Sequence, residues 1–132
     1  AKDGITAIKI KSSRMLLAYG FLRKVFEVFE RYKTPIDMIS TSEVAVSVTI
    51  DDNKNLNLIL EELKSFGTIE VDTDQSIICI VGNHLSEKEG VLKDVFQSLA
   101  QIPIRMVSYG GSPNNISILV GTAHKEKALT LL

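Results

Sequence analysis

The sequence predicts an α+β protein made of two tandem copies of one βαββαβ unit, the second lacking its last strand, and three observations predict it. The first is an internal repeat. Gly20-Phe21-Leu22-Arg23-Lys24-Val25-Phe26 is echoed by Gly90-Val91-Leu92-Lys93-Asp94-Val95-Phe96, and Pro35-Ile36-Asp37-Met38-Ile39-Ser40 by Pro103-Ile104-Arg105-Met106-Val107-Ser108. The offset is 70 residues between Gly20 and Gly90 and 68 between Pro35 and Pro103, so a short deletion separates the copies. The second is periodicity, which switches between the two-residue period of strands and the 3.6-residue period of helices along each copy. The third is composition. In 132 residues, 45% are apolar and 23% charged, enough to build a core and too apolar for a disordered chain.

The elements follow in order. Ile5 to Lys11 alternates as a strand, with Thr6, Ile8 and Ile10 on one face. Gly20 opens a helix whose apolar stripe is Leu22, Val25, Phe26, Phe29 and Tyr32. Thr34-Pro35 stops it, because the residue before a proline avoids the helical region. Ile36 to Thr41 is a short strand, and Val44, Val46, Val48 and Ile50 mark the next one. After the Asp51-Asp52-Asn53 turn, Leu56, Ile59, Leu60, Leu63 and Phe66 form a second amphipathic helix, ended by Gly67. Thr68 to Asp72 is the fourth strand. These elements make a split βαβ sandwich.

The second copy repeats the order. Ser76 to Val81 is a strand, and Ser86 with Glu89 forms a capping box ahead of Leu92, Val95, Phe96 and Leu99. Ile104 to Ser108 and Ile116 to Val120 are strands, and Ala123 to Leu132 is helical. No final strand follows. The division falls at 1–73 and 74–132. The open edge of the second sheet calls for a strand from a segment before Ala1 or from a partner chain.

Several functions are excluded. Fifteen Lys and Arg against sixteen Asp and Glu give a net charge of -1, which offers no electrostatic basis for nucleic acid or an anionic membrane. No apolar run is long enough to span a bilayer. A single cysteine forms no internal disulfide and suits a reducing, cytoplasmic setting. Cys79, inside Ile77-Ile78-Cys79-Ile80-Val81, reads as a small core residue. His84 and His124 have no metal-ligand spacing, so no metal site is expected. Asp51-Asp52-Asn53 resembles the start of a calcium loop, but Leu56 stands where such a loop needs glycine. There is no phosphate-binding glycine loop and no catalytic triad pattern, so no catalytic residue is assigned. Val44 to Ile50 lacks the aromatics with which a sheet stacks RNA bases.

Three segments suit a ligand. The loop Met15 to Leu22 leads into a helix N-terminus, where free amides attract carboxylates and Gly20 permits close approach. Asp37 is an acid just inside an apolar strand and wants a cationic partner. Thr41-Ser42-Glu43 is a polar step between strands. An amide-rich turn near acidic groups fits a small zwitterion. The alternative is that Gly20 is a helix cap, Asp37 an edge residue and Glu43 a turn residue.

These segments also carry a family resemblance. Gly20-Phe21-Leu22 with Val25-Phe26, then Asp37-Met38-Ile39-Ser40-Thr41-Ser42-Glu43-Val44, resemble the first ACT unit of the aspartokinase C-terminal regulatory region, most of all the lysine-sensitive type. Val81-Gly82-Asn83, Gly90-Val91, Val95-Phe96, Ile104 to Gly110 and Asn115 to Val120 resemble the second unit. The resemblance implies two ferredoxin-like ACT units, a preceding kinase domain that uses ATP and magnesium, and no cofactor in this segment. It also implies a homodimer through ACT units and feedback inhibition by an amino acid, most simply lysine. By position, the effector contacts would be Met15, Ala18, Gly20, Phe21, Leu22, Ile36, Asp37, Ser42 and Glu43. Ala18 replaces the serine of the family pattern, so one hydroxyl contact is lost. Two other functions share this topology: an ACT pair that only dimerises, and an acylphosphatase-like hydrolase using Arg14.

Overall fold

A computed structural model describes residues 1–12, 20–42, 44–82, 90–109 and 115–132. The elements are β1 (Lys2–Lys11), α1 (Phe21–Arg31), β2 (Met38–Thr41), β3 (Ala45–Ile50), α2 (Leu56–Leu63), β4 (Thr68–Val81), α3 (Val91–Ser98), β5 (Ile104–Tyr109), β6 (Asn115–Gly121) and α4 (Lys125–Leu131), with a 3-10 turn at Thr122–His124 before α4. This is the α+β order the repeat predicts. Two differences stand out. The second helix ends at Leu63, three residues short of Phe66, and the strands read at 68–72 and 76–81 are one strand, β4. Asp74 keeps its place in β4 at φ 53, a left-handed conformation that aspartate tolerates better than most residues.

Ile5–Thr73 forms one compact unit. Its strands lie in the order β2-β3-β1-β4, with β2 on the edge. β1 and β3 pair antiparallel, Lys11 opposite Ala45 and Thr6 opposite Ile50, and β2 pairs β3 with Met38 opposite Thr49 and Thr41 opposite Val46. One core joins Ile8, Ile10, Val46, Val48 and Ile50 of the sheet to Phe21, Val25, Val28 and Phe29 of α1 and Ile59 and Leu63 of α2. The helix stripe differs from the predicted one. Leu22 and Phe26, read as core, are 38% and 40% exposed, while Phe21 and Val28 are buried. The buried positions keep Val25 and Phe29 of the predicted stripe and exchange Leu22 and Phe26 for Phe21 and Val28, still at helical spacing. The sequence carried more apolar residues than one face could bury, and sheet packing chose among them. The strands show the same surplus: Ile5, Ala7 and Thr49 are buried as well as their alternating neighbours.

α1 ends in a Schellman motif. The Lys33 N–H donates to the Glu30 carbonyl and the Thr34 N–H to the Phe29 carbonyl, with Lys33 at φ 50. Across the two helices, the Tyr32 hydroxyl donates to Glu62 at 3.0 Å and Arg31 pairs with the same carboxylate.

The other unit comprises Asp74–Leu132 together with Ala1–Gly4. The division predicted from the sequence puts the first four residues in the leading unit. They belong here instead, because Asp3 bonds to Ser76 and Lys125. The strand order in this unit is β5-β6-β4 followed by the leading end of β1. The strand beside β4 in this unit is the leading end of β1, Lys2–Gly4. β4 pairs β6 with Gln75 opposite Gly121 and Val81 opposite Asn115, and β5 pairs β6 with an irregularity between Ile104 and Met106. Ile78, Val95, Leu99, Ile102, Ile116, Ile118, Val120 and Ala128 form the core. Cys79, expected inside, is exposed. Its neighbour Ile78 takes the core-facing position, and the two-residue period turns Cys79 away. The Ser86–Glu89 capping box lies outside the described residues. α3 opens on Gly90 with no side-chain cap.

Candidate functional site

Both units open their first helix in the same way. Gly20 has φ 82 and ψ 7 ahead of α1, and Gly90 has φ 75 and ψ 2 ahead of α3. Each carbonyl accepts the N–H four residues on, from Lys24 at 3.0 Å and from Asp94 at 2.9 Å. The amides of the first turn have no partner within the helix and point along its axis. Among the described residues a Cβ on Gly20 would meet nothing within 4 Å, so it is the backbone angle that calls for glycine.

The remaining predicted contacts divide by place. Phe21 is buried in the first core and anchors the helix start. Leu22 next to it is half-exposed. Ile36 packs on the same core, and the following Asp37 is exposed, with its N–H donating to the Thr49 carbonyl at 2.8 Å. Asp37 therefore precedes β2 rather than lying inside it. Its neighbour Met38 donates its N–H to the buried Thr49 hydroxyl at 2.9 Å, which fixes the start of the strand. Ser42 closes the other end of β2, its N–H donating to Ala45 at 2.8 Å, while Ser12 donates to Val44 at 2.8 Å. Met15, Ala18, Glu43 and Arg14 lie outside the described residues.

Asp37 and Ser42 consequently stand at opposite ends of the edge strand. Five residue steps at about 3.3 Å each separate them by roughly 16 Å. The two side chains would therefore approach a ligand from opposite ends of β2. Four large apolar side chains are exposed on and near the strand: Leu22 and Phe26 of α1, Ile39 of β2 and Val44. Ile39 pairs with Val48 and shares its face, the face that carries the helices. The sequence reading missed this patch because it counted Leu22 and Phe26 as core.

Among the described residues no group of three or more His, Cys, Asp or Glu could hold a metal ion, and no helix is long and apolar enough to cross a membrane. The hollow between Lys11, Ser12 and the Lys64–Thr68 turn is polar, about 390 Å³, and contains none of the predicted contacts.

Comparison with known proteins gives this geometry a family. The ACT domain family matches residues 78–132. The aspartokinase of Schizosaccharomyces pombe is 36% identical over 136 residues, covering 99% of this chain and 26% of that protein. Among solved structures, one assigned as a C-terminal regulatory domain of aspartate kinase from Porphyromonas gingivalis W83 is 50% identical, with a TM-score of 0.89, covering 99% of this chain and 90% of that one. Escherichia coli aspartokinase III in complex with lysine and aspartate is 34% identical, with a TM-score of 0.87, covering 98% of this chain and 31% of that one. The chain spans about a quarter of the length of the curated aspartokinases it matches. With likeness over nearly its whole length to a regulatory domain of the same size, the chain belongs to the family of aspartokinase C-terminal regulatory regions, built from ACT domains.

Proposed function

We propose that this chain is the feedback-control segment of an aspartate kinase and that it binds lysine where the first units of two copies meet. The catalytic domain, with its ATP and magnesium, precedes this segment in the full-length enzyme, which works in the cytoplasm. The observation that carries the reading is the exposed apolar surface of Leu22, Phe26, Ile39 and Val44 beside edge strand β2, between Asp37 at one end and Ser42 at the other. A second copy set against this edge covers the apolar surface. A two-fold arrangement also reverses the strand, so that one copy's Asp37 end approaches its partner's Ser42 end.

In that site the first-turn amides beyond Gly20 hold the lysine carboxylate. Asp37 pairs with one ammonium, and Glu43 or nearby carbonyls take the other. Charge-assisted bonds of this kind contribute about 1.5–3 kcal/mol each. Met15, Leu22 and Ile36 supply apolar contact to the methylene stem, and Ala18 leaves its side of the site without a hydroxyl. Inhibition follows if lysine prefers one arrangement of subunits by roughly 1–3 kcal/mol. The bound lysine of Escherichia coli aspartokinase III supports the choice of effector.

Calorimetry with lysine, threonine and methionine on the dimeric chain tests the reading. Lysine binds and Asp37→Ala weakens it at least tenfold. Silence with all three ligands on a folded dimer overturns it. Binding of another amino acid in place of lysine keeps the site and replaces its effector.

A further inference from the structure

One polar network lies within the unit formed by Ala1–Gly4 and Asp74–Leu132. Ser76 is 0% exposed, and its hydroxyl donates to Asp3 Oδ1 at 2.9 Å. Its oxygen also lies 2.9 Å from Thr122 Oγ1. Since the single Ser76 proton goes to Asp3, Thr122 is the donor in that second bond. Lys125 Nζ reaches the other Asp3 oxygen at 2.8 Å, with Glu126 Oε1 3.8 Å away. The chain of donors therefore runs Thr122 to Ser76 to Asp3, closed from the far side by Lys125. It joins β1 to β4, to the turn before α4 and to α4 itself. Asp3 lies 122 residues from Lys125, so no local spacing in the sequence marks the network.

We propose that Asp3, Ser76, Thr122 and Lys125 form a latch that fastens the leading strand of the chain into the second unit, and that regulation passes to the preceding domain through this strand. The relay rests on the reading above that a catalytic domain precedes the segment; the latch does not. The strand entering at Lys2 is the piece of chain nearest to anything upstream. Besides its place beside β4 in the sheet, it is held by the buried Ser76 hydroxyl and by the ion pair with Lys125. A loose strand would leave the upstream domain attached only by flexible chain, unable to sense the second unit. Asp3 and Lys125 are thus positioning residues.

Hydrogen exchange on residues 1–132 tests the latch. Lys125→Met keeps the side-chain stem and removes the charge. It speeds exchange at the amides of Lys2, Asp3 and Gly4 at least tenfold, while Lys127→Met, at an exposed neighbouring position, leaves them unchanged. Should Lys125→Met fail to fold, Asp3→Asn, which leaves α4 intact, gives the same increase. Unchanged exchange in the folded variants overturns the latch. In the full-length kinase, Lys125→Met retains the uninhibited rate and binds lysine within twofold of wild type, yet needs at least tenfold more lysine for half inhibition. Binding and inhibition that shift together, or not at all, overturn the relay and leave the exchange result standing. A wild-type enzyme that ignores lysine removes the effector reading and the relay with it, again without touching the exchange result.

Discussion

Lys33 occupies the left-handed position that closes α1, where glycine is the common choice. A side chain there costs roughly 1 kcal/mol, so Lys33→Gly raises stability by about 0.5–1 kcal/mol in urea unfolding, although it removes a Cβ and adds no contact. Gly67 behaves in the opposite sense. A Cβ at this position would stand 2.1 Å from the Lys11 carbonyl oxygen, a backbone atom that cannot swing aside. Gly67→Ala therefore costs about 1–3 kcal/mol or more, read as a lowered urea midpoint. Gly20 combines both arguments. No described residue crowds a Cβ there, but its φ of 82 disfavours one, so Gly20→Ala costs about 1 kcal/mol and shifts the first-turn amides. The variant folds and loses lysine affinity, separable by unfolding and calorimetry on the same sample. Asp3 belongs here too. The Lys125 ammonium, then the Ser76 hydroxyl, hold its carboxyl below the usual carboxylate range, and Asp3 in turn raises Lys125; the N-terminal amine and Glu126 are the other charges facing the pair. A lowered carboxyl stabilises the fold above its unfolded value near 4 and loses that contribution as pH falls through the folded value. The raised lysine contributes below its unfolded value near 10.4 and loses that as pH rises beyond it. The urea midpoint of wild type minus that of Asp3→Asn is therefore flat from pH 5 to 9 and shrinks below about pH 4. A difference that grew on acidification would refute the pairing.

At the scale of elements, the edge strand and the helix beside it carry the proposed interface. Leu22 and Phe26 stand one turn apart on the exposed side of α1. Neither belongs to the buried face, so Leu22→Ser with Phe26→Ser leaves the monomer folded and lowers self-association, read by sedimentation. A collapse of the monomer fold would place both residues in the core after all. The β2–β3 ladder has its own anchor in Thr49, whose buried hydroxyl accepts from Met38. Thr49→Val keeps the volume but orphans that N–H, costing about 1–3 kcal/mol. The predicted helices and strands were legible because their periods differ. The choice of buried face was not, because α1 carries apolar residues at 21, 22, 25, 26, 28 and 29, more than one side of a helix can bury.

At the scale of the molecule, residues 1–4 are the point where sequence order and spatial grouping part. Removing them takes away the strand beside β4 in the second unit and exposes that edge. A chain starting at Ile5 keeps native exchange protection in Ile5–Thr73 and loses it in the Asp74–Val81 part of β4 and in β6, with aggregation as a second sign. Of the candidate contacts, Gly20, Phe21, Leu22, Ile36, Asp37 and Ser42 could be placed. That Asp37 and Ser42 stand at opposite ends of β2 was readable from the strand predicted at Ile36 to Thr41. That Leu22 and Phe26 beside them stay exposed was not, because that depends on which face of α1 the sheet covers.

The repeat, the periods and the glycine before each first helix were determined by the sequence alone, because each is local: a turn, a face, a left-handed angle. The tertiary structure alone decided which apolar residues stay outside, that Cys79 faces away from the core, and that Asp3 belongs with Lys125. Those outcomes depend on which surfaces meet, and packing across 122 residues of chain leaves no trace in the spacing of neighbours.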